Sequence, residues 1–433
     1  MKKSLLVVLT VLMVCVFAFT ACQSTGPSEV TVGQQEDPMP KEEAPAEEAP
    51  APAVEEAPAE EAPAPEPVEE ADVADIAKLF NVMPLEWVDA PSIFPLTNSI
   101  GPNGEVGVGI AELLNLFSMD DLQKVQDANL TGAICMHTTA ADFSIQQITG
   151  ITNVFDTFGI EMLTITDAEF DVSKAATNFE STQALNPDII VHFILEPASE
   201  LPLMIQAREK GIVVSLIDSI PSGIAHEDFA GATMADNYAN GYESAKFLAE
   251  HMNGEGTVAM INYFQDLFHT NQRTFGGRDA FAEYPGIEIV AEQQFDGTVD
   301  MASSVTEQFI TQYPDLGGIW TVWDMPGFAA AGVIENAGRQ DVTKVVTIDL
   351  SETSGLNVAQ GGALICIAAQ HPIDQGTATA LQAVGTWLGY DTPRYVMVPG
   401  ELFQRDNFEN FSASWERVNH APIPAEFKTA FEQ

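Results

Sequence analysis

The chain has 433 residues, and its 63 acidic and 17 basic side chains give a formal net charge of −46 at pH 7. Such a charge disfavours binding to nucleic acid, because that function needs a basic surface. The N-terminal segment holds only part of the acidity, so the folded part is acidic as well. The part of the chain that follows this N-terminal segment is long enough for two domains of ordinary size.

Residues 1–21 have the pattern of a secretion signal. A short basic start precedes an apolar run over residues 5–19, which is short for a membrane-spanning helix. Small residues come directly before Cys22 and resemble the lipobox of bacterial lipoproteins. The resemblance implies cleavage before Cys22 and lipid attachment to it, and several acyl chains hold a protein stably on a membrane. An ordinary secretion signal followed by a chance cysteine is the alternative.

Residues 22–75 have the composition of a disordered tether. The motif EEAPA recurs between residues 42 and 67. Proline and like charges favour an extended chain that buries no core. We interpret this acidic segment as a spacer between the membrane and the folded part, and binding to a basic partner is the alternative.

An alternation of strands and helices begins near residue 130, after a less informative stretch over residues 76–129 that contains one amphipathic helix at 119–128. Strands are predicted over 132–136, 161–165, 188–194 and 212–217, with helices over 144–158, 172–185 and 200–210 between them. Short apolar strands that alternate with helices predict a parallel sheet covered on both faces.

The alternation restarts after a crossing at residues 229–233. Further strands are predicted over 257–263, 287–293, 318–322, 344–348, 363–369 and 395–398, with helices over 238–252, 271–283, 301–313, 326–336 and 375–388. The predicted fold class is therefore α/β, with two doubly wound parallel-sheet lobes joined by a hinge and a ligand cleft between them. The predicted division is an extension over 76–129, a first lobe over 130–233 with 371–398, and a second lobe over 234–370 with 399–433.

Polar and aromatic side chains follow most of the predicted strands. Ligands of parallel sheets bind beyond the carboxyl ends of the strands, so these side chains are candidates for a binding site. The candidates are Asp142, Phe143, Glu196 and Asp218 in the first lobe, and Arg273, Phe295, Trp323, Asp324 and Asp349 in the second. Carboxylates and arginine bind hydroxyls, and aromatic faces pack on C–H groups, so the set suits a sugar or polyol.

A series of short motifs runs along the two lobes in a fixed order. They are NPDIIV at 186–191, GIVVSLID at 211–218, ADNYANG at 235–241, the stretch 270–290, TVWD at 321–324, VVTID at 345–349 and AAQHPIDQG at 368–376. In this order they resemble the type I periplasmic-binding-protein fold, close to the ribose-type solute-binding proteins of sugar ABC transporters. The resemblance covers the chain from about residue 131 to the C-terminus.

The resemblance implies roles for individual residues. Phe143 matches a ring that stacks on the sugar, and Phe295 matches a second such ring. Asp218 matches the first-lobe acid that binds hydroxyls. The remaining matches are Arg273 to the second-lobe arginine, Asp349 to a later acid, and Gln370 to a glutamine near the hinge. Two departures remove polar groups from the pocket, because Ser219 stands where arginine is common and Trp323 replaces an asparagine.

Each candidate also has an ordinary structural role as its alternative. Asp218, Asp324 and Asp349 follow strands, so each is also a candidate helix cap or turn residue, and Glu196 has a purely structural role as its alternative. Trp323 is also a candidate core residue, and Arg273 a candidate for a surface ion pair. Cys135 and Cys366 lie in apolar strand-like runs and are predicted to be buried thiols.

The function predicted from these features is capture of a sugar or polyol by a monomeric, lipid-anchored receptor outside the cytoplasm, with delivery to an ABC permease. A signalling receptor of the same fold is the alternative, followed by an enzyme. No GxSxG elbow, P-loop or CxxC occurs in the sequence, and the seven histidines lack metal-ligand spacing. We therefore expect no catalytic residue, cofactor, metal or nucleic-acid partner.

The lipid anchor is open to a direct test. We expect Cys22→Ser to abolish incorporation of a radiolabelled fatty acid and to release or misprocess the protein, because the substitution removes the acylated sulfur. Cys15→Ser, which changes a cysteine of the predicted signal, should leave the labelling of the mature protein intact. A wild-type protein that incorporates no fatty acid would refute the anchor.

Overall fold

The computed structural model describes residues 70–80, 92–97 and 99–433. The predicted signal, Cys22 and most of the predicted tether lie outside these residues. Within the described ranges, no helix is both long and apolar enough to cross a lipid bilayer.

The strands form two sheets. In chain order they are β1 (Gly107–Gly109), β2 (Thr131–Met136), β3 (Glu161–Asp167), β4 (Ile189–His192), β5 (Val213–Ile217), β6 (Ala232–Ala235), β7 (Glu255–Tyr263), β8 (Gly286–Phe295), β9 (Gly318–Thr321), β10 (Lys344–Ile348), β11 (Leu364–Ala369), β12 (Tyr395–Val398) and β13 (Glu401–Gln404). The first sheet has the order β1-β12-β6-β5-β4-β2-β3, and the second has the order β13-β11-β10-β9-β7-β8. Neighbours pair in parallel except β13, which is antiparallel to β11.

Helices cover these sheets. In chain order they are α1 (Glu70–Leu79), α2 (Ile110–Leu114), α3 (Met119–Ala128), α4 (Asp142–Phe158), α5 (Val172–Gln183), α6 (Pro197–Glu209), α7 (Asn237–His251), α8 (Phe268–Ala282), α9 (Val299–Gln312), α10 (Asp324–Asn336), α11 (Glu352–Gln360), α12 (Pro372–Trp387), α13 (Phe408–Asn419) and α14 (Ala425–Phe431). The central strands read as continuous apolar runs because helices cover both faces of each sheet. The predicted fold class of two doubly wound α/β lobes is confirmed.

Residues 76–129 contribute more to the first lobe than their sequence pattern indicated. Strand β1 pairs in parallel with β12 at the edge of the first sheet. Phe80 is buried and stacks on Phe158 of α4, with 5.2 Å between ring centroids. Helix α1 also takes in the last residues of the predicted tether, since it begins at Glu70. Cys135 and Cys366 are buried and free, as predicted.

The chain passes between the two sheets at the β6–α7, β11–α12 and β12–β13 junctions. At the first junction Asp236 caps α7 by accepting from the backbone N–H of Ala239 at 3.1 Å. The same carboxylate accepts from the hydroxyl and the backbone N–H of Thr97. These junctions form the hinge of the two-lobed fold.

Glycines bring two pairs of helices into backbone contact next to the hinge. A Cβ at Gly150 of α4 would lie 2.0 Å from the carbonyl oxygen of Ile373, and a Cβ at Gly376 of α12 would lie 2.0 Å from that of Gln147. In the second lobe, a Cβ at Gly241 of α7 would lie 1.9 Å from the carbonyl oxygen of Arg273. Any larger residue at these positions would separate the helices.

We expect Gly241→Ala to lower the free energy of unfolding by about 1–3 kcal/mol, because the added methyl overlaps the backbone of α8. Gly332→Ala is the matched control, since Gly332 lies in α10 with nothing within 4 Å of the added Cβ. The control should gain about 0.5–1 kcal/mol from helix propensity. Denaturant unfolding measures both variants, and equal stabilities would contradict the close helix contact.

Candidate functional site

Two acids occupy equivalent turns at the ends of central strands. Asp218 follows β5 with φ 52°, and Asp349 follows β10 with φ 70°. This left-handed conformation is uncommon for residues other than glycine and is tolerated best by short polar side chains. The backbone N–H of Asp218 donates to Thr233, and that of Asp349 donates to Ala368, each on the adjacent strand. The carboxylates are therefore fixed at the carboxyl edges of the two sheets.

Arg273 is held rigidly within the second lobe. Its side chain is 3% exposed. Nη1 donates to Oδ2 of Asp349 and to the carbonyl oxygen of Val322, both at 3.0 Å, and Nε donates to Oδ1 of Asn237 at 2.8 Å. The alternative of a surface ion pair is therefore wrong, because this pair is buried.

A relay of amide side chains continues from Asp349 into the first lobe. Nε2 of Gln370 donates to Oδ1 of Asp349. Gln375 donates to Oε1 of Gln370 at 2.8 Å, and Gln147 donates to Oε1 of Gln375 at 3.0 Å. Since Gln370 lies at the β11–α12 junction and Gln147 on α4, the relay joins the site to the hinge.

An aromatic cluster lies between the lobes. His137 follows β2 and Phe193 follows β4, and their ring centroids are 3.9 Å apart. Phe193 also contacts His269 of α8 edge-on at 6.2 Å, and His137 contacts Phe170 at 5.1 Å. Because Phe193 belongs to the first lobe and His269 to the second, this contact crosses the cleft.

His137, Phe193 and His269 were not among the site residues predicted from the sequence. In the structure His137 and Phe193 directly follow strands of the first sheet, so the rule that selected Asp218 and Asp349 also applies to them. The histidines were considered only for metal-ligand spacing, and Phe193 lay inside the predicted strand 188–194, which ends at His192 in the structure.

Burial and neighbouring charges shift the pKa values of several groups in the cleft. Burial raises the pKa of Asp218 to about 7; Arg273 opposes this rise, and Asp349 adds to it. Burial also raises the pKa of Asp324 to about 7, with further repulsion from Asp349 and from Asp142 of the first lobe. Burial lowers the pKa of His137 to about 4 and lowers the pKa of His269, so both imidazoles are neutral at pH 7.

The other predicted residues take different places. Asp142 is exposed at the start of α4, and Phe143 beside it is half-buried. Trp323 is half-buried, and its ring packs against Tyr263 at 4.8 Å and Phe295 at 4.9 Å. Phe295 is 1% exposed, so in this structure it is a packing partner of Trp323.

Glu196 caps helix α6. Its carboxylate accepts from the backbone N–H of Ser199 at 2.8 Å and of Ala198 at 3.2 Å. These hydrogen bonds, that of Ser199 first, lower the pKa of Glu196. The structure thus gives Glu196 a structural role, as a helix cap. Asp324 differs, because the N-cap position of α10 belongs to Trp323.

Several buried polar atoms around the cleft have no hydrogen-bond partner. They are Oδ1 of Asp218, Nδ1 of His137 and Nδ1 of His269. Leaving such atoms unpaired costs about 1–3 kcal/mol each, so a ligand that pairs with them would be favoured. Among the described residues, no group of three or more His, Cys, Asp and Glu side chains is arranged to hold a metal ion.

The chain belongs to the periplasmic binding protein family, because residues 132–389 match the family's periplasmic binding protein domain. It is similar to the xylitol-binding protein of Mycolicibacterium smegmatis, with 26% identity over 234 residues that cover 53% of this chain. It is also similar to the D-apiose import binding protein of Actinobacillus succinogenes, with 25% identity over 180 residues and 41% of this chain. The chain spans 66% and 56% of the lengths of these curated relatives.

Solved structures share the fold. A periplasmic solute-binding protein of an ABC transporter from Actinobacillus succinogenes, with bound D-allose, has a TM-score of 0.60 and 24% identity, covering 67% of this chain and 99% of its own. A solute-binding protein from Bacillus halodurans, with bound myo-inositol, has a TM-score of 0.59 and 18% identity, covering 66% of this chain and 98% of its own.

The raised pKa of Asp218 has a consequence for stability. A carboxyl with a pKa of about 7 when folded and about 3.9 when unfolded binds more protons in the folded state, so its contribution to stability falls as pH rises between these values. Asparagine does not ionise. We therefore expect Asp218→Asn to match the wild type near pH 4 and to exceed it by about 1–4 kcal/mol at pH 8, measured by unfolding without ligand.

The matched control is Asp296→Asn in the same assay. Asp296 is exposed, and hydrogen bonds from Thr298 lower its pKa, so this substitution should add no stability at pH 8. If the difference in stability between Asp218→Asn and wild type stayed constant across this pH range, the raised pKa of Asp218 would be contradicted.

Proposed function

We propose that this protein captures a sugar or polyol between its lobes and delivers it to an ABC permease. The observation that carries the proposal is that Asp218 of the first lobe, whose buried Oδ1 lacks a partner, lies close enough to the Arg273–Asp349 pair of the second lobe for both charges to shift its pKa. Because these groups belong to both sheets, a bound ligand would bridge the lobes. Bridging of this kind favours the closed form of a hinged protein.

The chemistry of the cleft fits hydroxyl groups. A hydroxyl donates to Oδ1 of Asp218 and accepts from Arg273, and each hydrogen bond to a charged group contributes about 1.5–3 kcal/mol. The neutral rings of His137 and His269 offer further partners, and Phe193 offers an apolar surface. The relay through Gln370 links ligand contact at Asp349 to the hinge.

The relatives favour the same ligand class. Xylitol and D-apiose are named for the curated relatives, and D-allose and myo-inositol occupy two of the similar structures. All are small polyhydroxylated molecules. For this chain we infer the class and leave the particular member to experiment.

The sequence supports a proposal for the location of the protein. We propose that the mature protein is held on the outer side of the cell membrane by lipid on Cys22, with residues 22–69 as the spacer before helix α1. In this position it would meet extracellular or periplasmic solutes and dock as a monomer on the permease. The acidic net charge of the chain disfavours nucleic acid as a binding partner in this role.

A thermal-shift screen of pentoses, hexoses and polyols, followed by calorimetry, tests the function. Binding at a hundredfold excess over the dissociation constant stabilises a protein by about 2.7 kcal/mol.

We expect Arg273→Ala and Asp349→Asn each to weaken binding of the identified ligand by about 2–4 kcal/mol, because each change removes hydrogen bonds and leaves a buried partner unpaired.

Arg278→Ala is the matched control for these variants. Arg278 lies on the same helix as Arg273, but it is exposed and pairs with Glu292 on the surface. Its removal should leave affinity unchanged, and circular dichroism would verify folding of every variant. Wild-type affinity in folded Arg273→Ala and Asp349→Asn would place the site elsewhere.

A further inference from the structure

A second pocket lies in the second lobe, at the edge of the sheet opposite to the cleft. Lys344, the first residue of β10, and Leu364, the first residue of β11, contribute to its wall. Asp349 of the proposed sugar site follows the other end of β10. The five residues of β10 separate the two places by roughly 17 Å, at about 3.3 Å per residue. The pocket has a volume of about 220 Å³ and is distinct from the cleft.

Basic side chains line one part of this pocket. They are Lys344, Arg405 and His251, which ends α7. None of the described residues that line the pocket is acidic, although the chain holds 63 acidic residues against 17 basic ones. A concave basic surface is therefore an exception on this protein, and it attracts anions.

The lysine and the arginine of the pocket have no carboxylate partner among the described residues. Nε of Arg405 donates to the carbonyl oxygen of Ala359 at 3.1 Å, and Nη2 donates to that of Phe431 at 2.6 Å. These contacts fix the guanidinium without a counter-ion. Lys344 forms no ion pair with any described residue, whereas most of the described lysines and arginines do. The pocket therefore presents two cations without a counter-charge.

The histidine of the pocket lies beside one of these cations. Burial and then the charge of Lys344 lower the pKa of His251, and no acid opposes them. The imidazole is therefore neutral at pH 7 and offers an N–H to a ligand. Its ring lies nearly parallel to that of Phe247, with 6.4 Å between the centroids.

The carboxylate of Glu335 lies next to the pocket lining. A Cβ at Gly362 would lie 2.3 Å from Oε1 of Glu335. That oxygen accepts from the backbone N–H of Ala363 at 2.8 Å and from the amide of Asn357 at 3.2 Å. Glu335 is therefore held by uncharged donors of its own, and the two cations of the pocket outnumber it.

Apolar side chains line the rest of the pocket and define the kind of anion. Val358 and Leu364 are buried, and Phe247 and Ile365 are half-buried. An apolar cavity of about 150 Å³ holds one benzene molecule, so this pocket has room for a ring with a carboxylate attached. A hydrated inorganic anion would leave the apolar wall unfilled.

Beyond the proposed function, we propose that this pocket binds a small organic carboxylate. The apolar body of the ligand packs on Phe247 and Val358, and its carboxylate accepts hydrogen bonds from Lys344 and Arg405. The site does not depend on the sugar, because it lies at the other edge of the sheet.

Matched probes test this site by calorimetry at pH 7 with the mature protein. Benzoate and phenylacetate carry both ring and charge. Benzyl alcohol and 2-phenylethanol keep the ring without the charge, and acetate keeps the charge without the ring. We expect at least one aromatic carboxylate to bind tenfold or more tightly than its alcohol and than acetate, because charged hydrogen bonds and burial of the ring act together.

Variants then place the carboxylate. Lys344→Gln removes one charge and should weaken binding of the aromatic carboxylate at least tenfold. Lys210→Gln is the matched control, because Lys210 is exposed on the first lobe, where it donates to Gln183 at 3.1 Å. Arg273→Ala removes the cation of the cleft and should also leave this binding intact. Circular dichroism verifies the fold of every variant.

The outcomes separate this site from the cleft. Loss of binding in Arg273→Ala with retention in Lys344→Gln would place the carboxylate in the cleft and overturn the second site. Equal binding of carboxylate and alcohol, or equal losses in Lys344→Gln and Lys210→Gln, would also overturn it. If neither aromatic carboxylate bound, the second site would fall while sugar capture, which the thermal-shift screen tests separately, would stand.

Discussion

The buried ion pair between Arg273 and Asp349 is the interaction on which the site depends. Removing one partner of such a pair costs about 3–5 kcal/mol, because it leaves an uncompensated buried charge. The pair requires close packing of α7 on α8, which the glycine at position 241 allows, and it requires the left-handed turn after β10. Backbone geometry at two distant positions thus sets the position of one guanidinium.

In the proposed site, the same ion pair would connect ligand binding to movement of the lobes. Asp349 accepts from Gln370 at a chain crossing, and Gln370 accepts from Gln375, which in turn accepts from Gln147. A ligand that shifts Asp349 therefore disturbs a continuous chain of buried amides that passes from one sheet to the other. Buried networks of this kind tolerate few arrangements, so the amide relay is suited to restricting the hinge to a few positions.

The sequence predicted the strands well, because apolar runs such as that of β10 follow directly from burial on both faces. It also placed Asp218 and Asp349 correctly at the ends of strands, because strand ends are positions that sequence periodicity locates. It did not find β1 and β6, which are short and depend on pairing with β12 from the distant end of the chain. Nor did it find the cap at Glu196 or the contact between Phe193 and His269, since both depend on tertiary geometry.

The strand pattern β6-β5-β4-β2-β3 of the first sheet is repeated in the second sheet as β11-β10-β9-β7-β8, so the two lobes are an internal repeat of one topology. Under this repeat Asp218 corresponds to Asp349, and Gly150 corresponds to Gly276. Arg273 stands three positions before Gly276, and Gln147 stands three positions before Gly150. In the second lobe Arg273 pairs with Asp349, whereas in the first lobe Gln147 donates to Gln375 and Oδ1 of Asp218 has no partner. A repeated scaffold thus offers an asymmetric ligand two chemically different ends.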